Sequence, residues 1–326
     1  MTIARDLETY GPDTDATLPL DEARAYARRV TREHGENFSV VSRLLPRELR
    51  EDFCGVYAVC RWADDLGDAF HDESDPIRGA ELLRWWRDEL DRCYAGEPRH
   101  PVYVALEPVI GKHELPRRPF DDLIDAFTQD QAVRRYGTWA SLLDYCTRSA
   151  DPVGRLVLTM FGVRDDESFR LSDATCTALQ LTNFWQDVRR DILERERVYL
   201  PAEVAAAHGL DVETLVRMTK LDEAARCDAC RPGQAVAGRE LLPAYRATVR
   251  ELVGRTWPMF AEGRGLWPRV GPRFRGQLEL FTRGGEAVLR RIERRGCDTW
   301  TRRPRLGKWT KLALVARVMA GRVTGR

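Results

Sequence analysis

Nearly every segment of this chain repeats its apolar residues at three- and four-residue intervals, and no segment alternates them. Leu49, Phe53, Val56, Tyr57, Cys60 and Ala63 give one such stripe. A 3.6-residue period without a convincing period-2 pattern confines the chain to helices packed on helices. The predicted helices are 21–34, 47–69, 77–94, 102–110, 120–136, 139–161, 167–193, 210–219, 234–260, 265–294 and 309–321. Short Gly/Pro groups such as Ala95-Gly-Glu-Pro98 and Arg231-Pro-Gly233 separate them. No repeat and no long linker interrupts the 326 residues, so the reading is a single all-α domain spanning 21–326. Residues 1–20, rich in Asp, Thr, Pro and Gly, read as a loose lead-in.

Composition narrows the function. Lys and Arg total 52 against 51 Asp and Glu, a balance that gives no reason to expect nucleic-acid binding. No apolar run reaches the about 18 residues of a membrane span, and the first residues lack a signal-peptide core. The expected location is the cytoplasm, with a peripheral position on the inner membrane face as an option. The eight cysteines read as buried thiols, and Cys227-Asp-Ala-Cys230 stands alone, with no second CxxC or His pair. Nucleotide-binding glycine motifs, nucleophile elbows and zinc-binding HExxH are absent.

Two helices stand out. The stretch Gln180-Leu-Thr-Asn-Phe-Trp-Gln-Asp-Val-Arg-Arg-Asp191 places Asn183, Asp187 and Asp191 four residues apart on one edge. Like charges at this spacing destabilise a helix by roughly 0.2–0.5 kcal/mol per pair. Far upstream, Arg61-Trp-Ala-Asp-Asp-Leu-Gly-Asp68 sets Asp64, Asp65 and Asp68 at a helix C-terminus, where the macrodipole favours cations. Either edge alone is most simply a solvated face. Together they supply side-chain oxygens that suit a hard cation such as Mg²⁺. If they face one another, the resulting acidic mouth could hold several Mg²⁺ ions and a diphosphate. The cation left by a departing diphosphate needs an apolar, aromatic cavity, which nine Trp, nine Tyr and eleven Phe could line, though most of them must be ordinary core.

The C-terminus has its own character. After Asp298 come eight basic residues and no acid: Arg302, Arg303, Arg305, Lys308, Lys311, Arg317, Arg322 and Arg326. The simple reading is a terminal helix docked on the core with a basic outer face. The sharper one is a patch facing anionic lipid.

The strings Tyr57-Ala-Val-Cys-Arg61-Trp-Ala-Asp64-Asp65-Leu-Gly-Asp68 and Asn183-Phe-Trp-Gln-Asp187-Val-Arg-Arg-Asp191, the second continuing to Arg197-Val-Tyr-Leu-Pro201, resemble the two aspartate-rich motifs of the squalene/phytoene synthase family. The resemblance covers most of the chain, from about Tyr26 to Lys311. It implies an all-α isoprenoid-synthase bundle with a central cavity and an isoprenoid diphosphate as substrate. It implies that Asp64, Asp68, Asn183, Asp187 and Asp191 bind Mg²⁺–diphosphate, that Tyr57 and Arg61 lie near the diphosphate, and that Asp65 assists. His34, Asn37 and Phe38 match the family's N-terminal flap, with Asn37 where Ser is common. Further strings, among them Glu36-Asn-Phe-Ser, Tyr145-Cys-Thr-Arg-Ser-Ala-Asp-Pro-Val-Gly-Arg155 and Arg303-Pro-Arg-Leu-Gly-Lys308, resemble the hopanoid branch that converts presqualene diphosphate to hydroxysqualene. That branch implies no NADPH. The alternative within the family is head-to-head joining of two allylic diphosphates. Gln186 stands where most members carry Arg, which removes one fixed charge and points to a single diphosphate.

Overall fold

The computed structural model describes residues 3–34, 45, 47–69, 77–224, 238–307, 310 and 314. Thirteen α-helices lie among them, and no strand. They are α1 (Ile3–Tyr10), α2 (Leu20–His34), α3 (Arg47–Ala69), α4 (Arg78–Tyr94), α5 (Pro101–His113), α6 (Arg118–Gln129), α7 (Trp139–Ser149), α8 (Asp151–Met160), α9 (Asp166–Arg195), α10 (Ala202–Ala207), α11 (Val212–Ala224), α12 (Leu242–Gly263) and α13 (Pro272–Arg294). None is long and apolar enough to cross a membrane.

Several predicted boundaries move. The expected helix 139–161 is two, because Pro152 has no N–H to bond back into α7 and Ala150 turns out of helical geometry, at φ −126°. The expected helix 120–136 stops at Gln129. Residues past it instead offer carbonyls to a later segment: Val198 N–H donates to Arg134 and Ala202 N–H to Tyr136, both at 2.9 Å. The predicted helix 265–294 is a 3₁₀ turn, Arg264–Arg269, followed by α13, which begins at Pro272. The lead-in holds a helix that periodicity misses, α1. Its Asp6 is buried and accepts a 2.6 Å hydrogen bond from the Tyr26 hydroxyl.

The chain divides into two compact units, each made from separate stretches, so no linker marks the division. Unit 1 is Met1–Ala132, Arg148–Arg170 and Val270–Gln277; unit 2 is Val133–Thr147, Leu171–Arg269 and Leu278–Arg326.

In unit 1, α2 packs on α3 and α5, and α3 on α4, α5 and α6. Ala23, Val30, Val59, Leu83, Leu90 and Leu106 form the apolar centre. Trp62 of α3 stacks on Trp86 of α4 with ring centres 5.3 Å apart. His100 meets both indoles edge-on at 4.5 and 4.8 Å. Its Nδ1 accepts the Val102 N–H and so caps α5. Burial holds this imidazole down at about 3, neutral at ordinary pH.

In unit 2, α12 turns Tyr245, Val249, Leu252 and Phe260 inward. Fully buried Trp185 of α9 donates its indole N–H to Thr256 at 2.9 Å. Phe184 stacks on Tyr199 at 3.8 Å. The aromatics named here are packed core, as most of the chain's aromatics are expected to be.

Candidate active site

The first acidic stretch follows from the register of α3. Trp62, Ala63 and Leu66 are buried and set the inner face. Tyr57, Arg61, Asp64 and Asp68 then fall at spacings of four, three and four on one half-buried stripe. Three acids at a helix C-terminus oppose the dipole, and the helix answers with its own cation. Arg61 donates to Asp64 at 3.0 Å and to both oxygens of Asp65. Burial lowers the Arg61 guanidinium's pKa, but Asp64 and Asp65 raise it further, and the net shift is upward. Burial pushes the Tyr57 phenol up to about 12, so it stays a neutral donor. The Cys60 thiol beside it is likewise raised to about 12 by burial and is not a nucleophile at neutral pH. One supporting residue escapes sequence inspection. The Gln131 amide, just beyond α6, donates to the Gly67 carbonyl at 2.8 Å and to Phe127 at 3.2 Å. It thereby satisfies an end-of-helix carbonyl beneath the motif.

The second stretch is set by Trp185. Successive α-helical residues advance by about 100°, so positions two before and two after an inward indole lie on the opposite side. Asn183 is accordingly exposed and Asp187 half-buried. Asp191, four residues on, is buried and pairs with Arg195 at 3.2 Å. The two arginines inside the motif make their closest contacts with other acids. Arg189 reaches fully buried Asp222 at 2.7 Å and also Glu223. Arg190 donates to Glu194 at 2.8 Å and lies only 3.5 Å from Asp187. Glu196 then adopts a left-handed φ of 54° to leave the helix. The stretch Arg197-Val-Tyr-Leu-Pro201 is pinned by the Arg197 N–H to the Asp191 carbonyl at 3.0 Å and by the Val198 bridge to Arg135.

The main partner of Asp187 comes from the C-terminal segment. Arg303 forks onto it, Nη2 at 2.9 Å from Oδ2 and Nε on Oδ1. Gln186, buried, donates its side-chain amide to the Pro304 carbonyl. Sequence inspection sees Arg303 only as one of eight basic residues; nothing in its spacing assigns it to a carboxylate 116 residues away.

Each stretch thus gathers its own residues: Tyr57, Arg61, Asp64, Asp65 and Asp68 on α3; Asn183, Gln186, Asp187 and Asp191 on α9. His34 closes α2. Asn37 and Phe38 lie outside the described residues, as do Cys227, Cys230, Lys308, Lys311, Arg317, Arg322 and Arg326. The six described cysteines are thiols, four of them buried.

Oxygen donors alone suit Mg²⁺. Among the described residues no three His, Cys, Asp or Glu side chains gather into a cage. Mg²⁺ characteristically takes one or two carboxylates and completes its shell with water and substrate phosphate, so paired carboxylates fit it.

Several known proteins resemble this chain. The squalene/phytoene synthase family matches residues 31–310. The crystal structure of squalene synthase HpnC from Alicyclobacillus acidocaldarius is 42% identical, with a TM-score of 0.72 over 86% of this chain and 97% of that one. A dehydrosqualene synthase, 21% identical with a TM-score of 0.76, shares the fold over 94% of this chain and 98% of its own. A phytoene synthase of Thermus thermophilus is 32% identical over 88% of this chain and 89% of its own length. A hydroxysqualene synthase of Rhodopseudomonas palustris is 36% identical over 55% of this chain and 60% of its own. The chain belongs to the squalene/phytoene synthase family and has the all-α isoprenoid-synthase fold.

Proposed function

We propose that this protein converts presqualene diphosphate to hydroxysqualene. The carbon–oxygen bond to diphosphate breaks, the carbocation rearranges, and water adds with loss of a proton. No electrons are gained, so no NADPH is needed. Asp64, Asp68, Asn183, Asp187 and Asp191 would hold several Mg²⁺ ions. When bound, these neutralise the diphosphate as it leaves. Arg61 stays charged and Tyr57 stays protonated, so both can donate to diphosphate oxygens. Asp65 keeps the Arg61 fork oriented. His34, Asn37 and Phe38 would close over the substrate and exclude water. The basic residues from Lys308 onward would touch anionic lipid, and removing them should weaken binding to anionic more than to neutral liposomes.

The observation that carries the choice within the family is Gln186. A neutral amide precedes Asp187, and its hydrogen bond goes to the chain's own Pro304. An Arg there would add a fixed charge for a second diphosphate. The similarity to a hydroxysqualene synthase supports the same choice. The similarity to a phytoene synthase over most of the chain favours the second reading, head-to-head joining of two allylic diphosphates.

The test is a product assay with Mg²⁺ and presqualene diphosphate, farnesyl diphosphate or geranylgeranyl diphosphate, each with and without NADPH. The proposal expects a C30 alcohol from the first substrate alone. Presqualene diphosphate formed from farnesyl diphosphate, or a C40 hydrocarbon formed from geranylgeranyl diphosphate, would replace it with the second reading.

A further inference from the structure

The segment that brings Arg303 to Asp187 is fastened at two points within unit 2. At its root, Trp300 is fully buried and donates its indole N–H to Thr219 at 2.8 Å. The Thr299 hydroxyl lies 2.6 Å from that of Tyr245. Asp298 accepts from the Thr301 N–H and hydroxyl, and from Arg246 at 2.8 Å. Gly238, at φ 76°, passes so close that a Cβ there would stand 2.7 Å from the Trp300 ring. At the tip, the Gln186 amide takes the Pro304 carbonyl and Arg303 takes Asp187. Pro304 is buried, whereas Arg302 and Arg305 on either side of the tip are exposed.

We propose that residues 298–304 form a strap, tethered by Gln186, that sets Arg303 on Asp187 as its resident counter-cation and makes a divalent ion compete for that carboxylate. This rests on the proposed role of Asp187 as a metal ligand. The physical reason is charge. Asp187 has a side chain only 13% exposed, and leaving such a carboxylate unpaired is costly. Arg190 gives its close hydrogen bond to Glu194 and reaches Asp187 only through one long contact of 3.5 Å, so Arg303 supplies the close fork. An ion entering at Asp187 must displace at least one arm of that fork. The freed guanidinium then lies next to whatever anion the ion carries. Gln186 thus acts as a positioning residue through the strap, and its effect on the number of diphosphates held runs through Arg303. Gln186→Leu would remove the tether and keep the shape. Gln186→Arg would put a second guanidinium beside Arg303.

Two readouts test this without any turnover. The first is tryptic cleavage after Arg302 in the unliganded, full-length protein. Gln186→Leu, shown folded by circular dichroism, should be cut at that bond about tenfold faster than wild type, the factor that a loss of about 1.4 kcal/mol gives when cleavage follows the open population. Equal cleavage overturns the strap. The second is Mn²⁺ binding to the free protein, followed by electron paramagnetic resonance. Arg303→Gln should bind Mn²⁺ several-fold more tightly, and Asp187→Asn should lose that ion. Mn²⁺ binding that is lost in Asp187→Asn yet unchanged in Arg303→Gln overturns the strap alone. Binding indifferent to Asp187→Asn overturns the metal reading beneath it, and the competition with it.

Discussion

The two acidic stretches solve one problem in opposite ways. At the end of α3, Arg61 neutralises Asp64 and Asp65 from three and four residues away on the same helix. On α9, Arg189 turns to other acids, Arg190 gives Asp187 only a long 3.5 Å contact, and the close partner of Asp187 is Arg303, 116 residues later. The first arrangement is complete as soon as one helix forms. The second exists only when the C-terminal segment has docked. A local cation is a fixture, whereas a cation on a strap can be exchanged.

The largest effect is expected at the carboxylates. Asp64→Asn and Asp187→Asn should each lower kcat by roughly 10²–10³-fold or more, as removing one group that stabilises a departing charge does. Near-normal turnover in either variant, by initial-rate assay, would mean that only one stretch serves the chemistry.

Acid should separate the units. The His100 imidazole is held from 6.5 down to about 3 by burial. Between those values the unfolded chain binds a proton that the folded chain refuses, so stability is full above about 6.5 and falls as pH drops toward 3. From pH 7 to pH 4 the loss is about 3 kcal/mol, and it should appear in unit 1. Hydrogen exchange at pH 4 should therefore weaken amides of α4 and α5 before those of α12. Loss in the reverse order, or an acid limb unchanged in His100→Gln, would contradict it.

Smaller effects are expected around α3. Arg61→Gln should reduce kcat/KM by about 10–100-fold, the worth of hydrogen bonds to charged groups, at about 1.5–3 kcal/mol. Gln131→Leu, which strips the Gly67 carbonyl of its donor, should cost only about 1 kcal/mol in denaturant unfolding. An effect of Gln131→Leu larger than that of Arg61→Gln would invert the ranking.

The same contrast explains what could be read in advance. The predicted helix Arg47–Ala69 matches α3 at both ends, because its apolar period is a local signal. The stripe Tyr57, Arg61, Asp64, Asp68 is likewise written in the spacing. What the period alone does not reveal is where a helix yields to a distant partner: residues past Gln129 give up helix to serve Val198 and Ala202. In the sequence Arg303 is visible as charge but not as the mate of Asp187. Gln186 reads there as a missing charge, and its bond to Pro304 adds a structural duty. Both belong to contacts closed across more than a hundred residues, which no local pattern encodes.

A site without a cation at position 186 should hold one diphosphate. Equilibrium titration of the protein in Mg²⁺ with farnesyl thiodiphosphate, an inert analogue, counts them. One analogue bound per chain, rising to two in Gln186→Arg, is the predicted result. Two bound per chain in the wild type would contradict it.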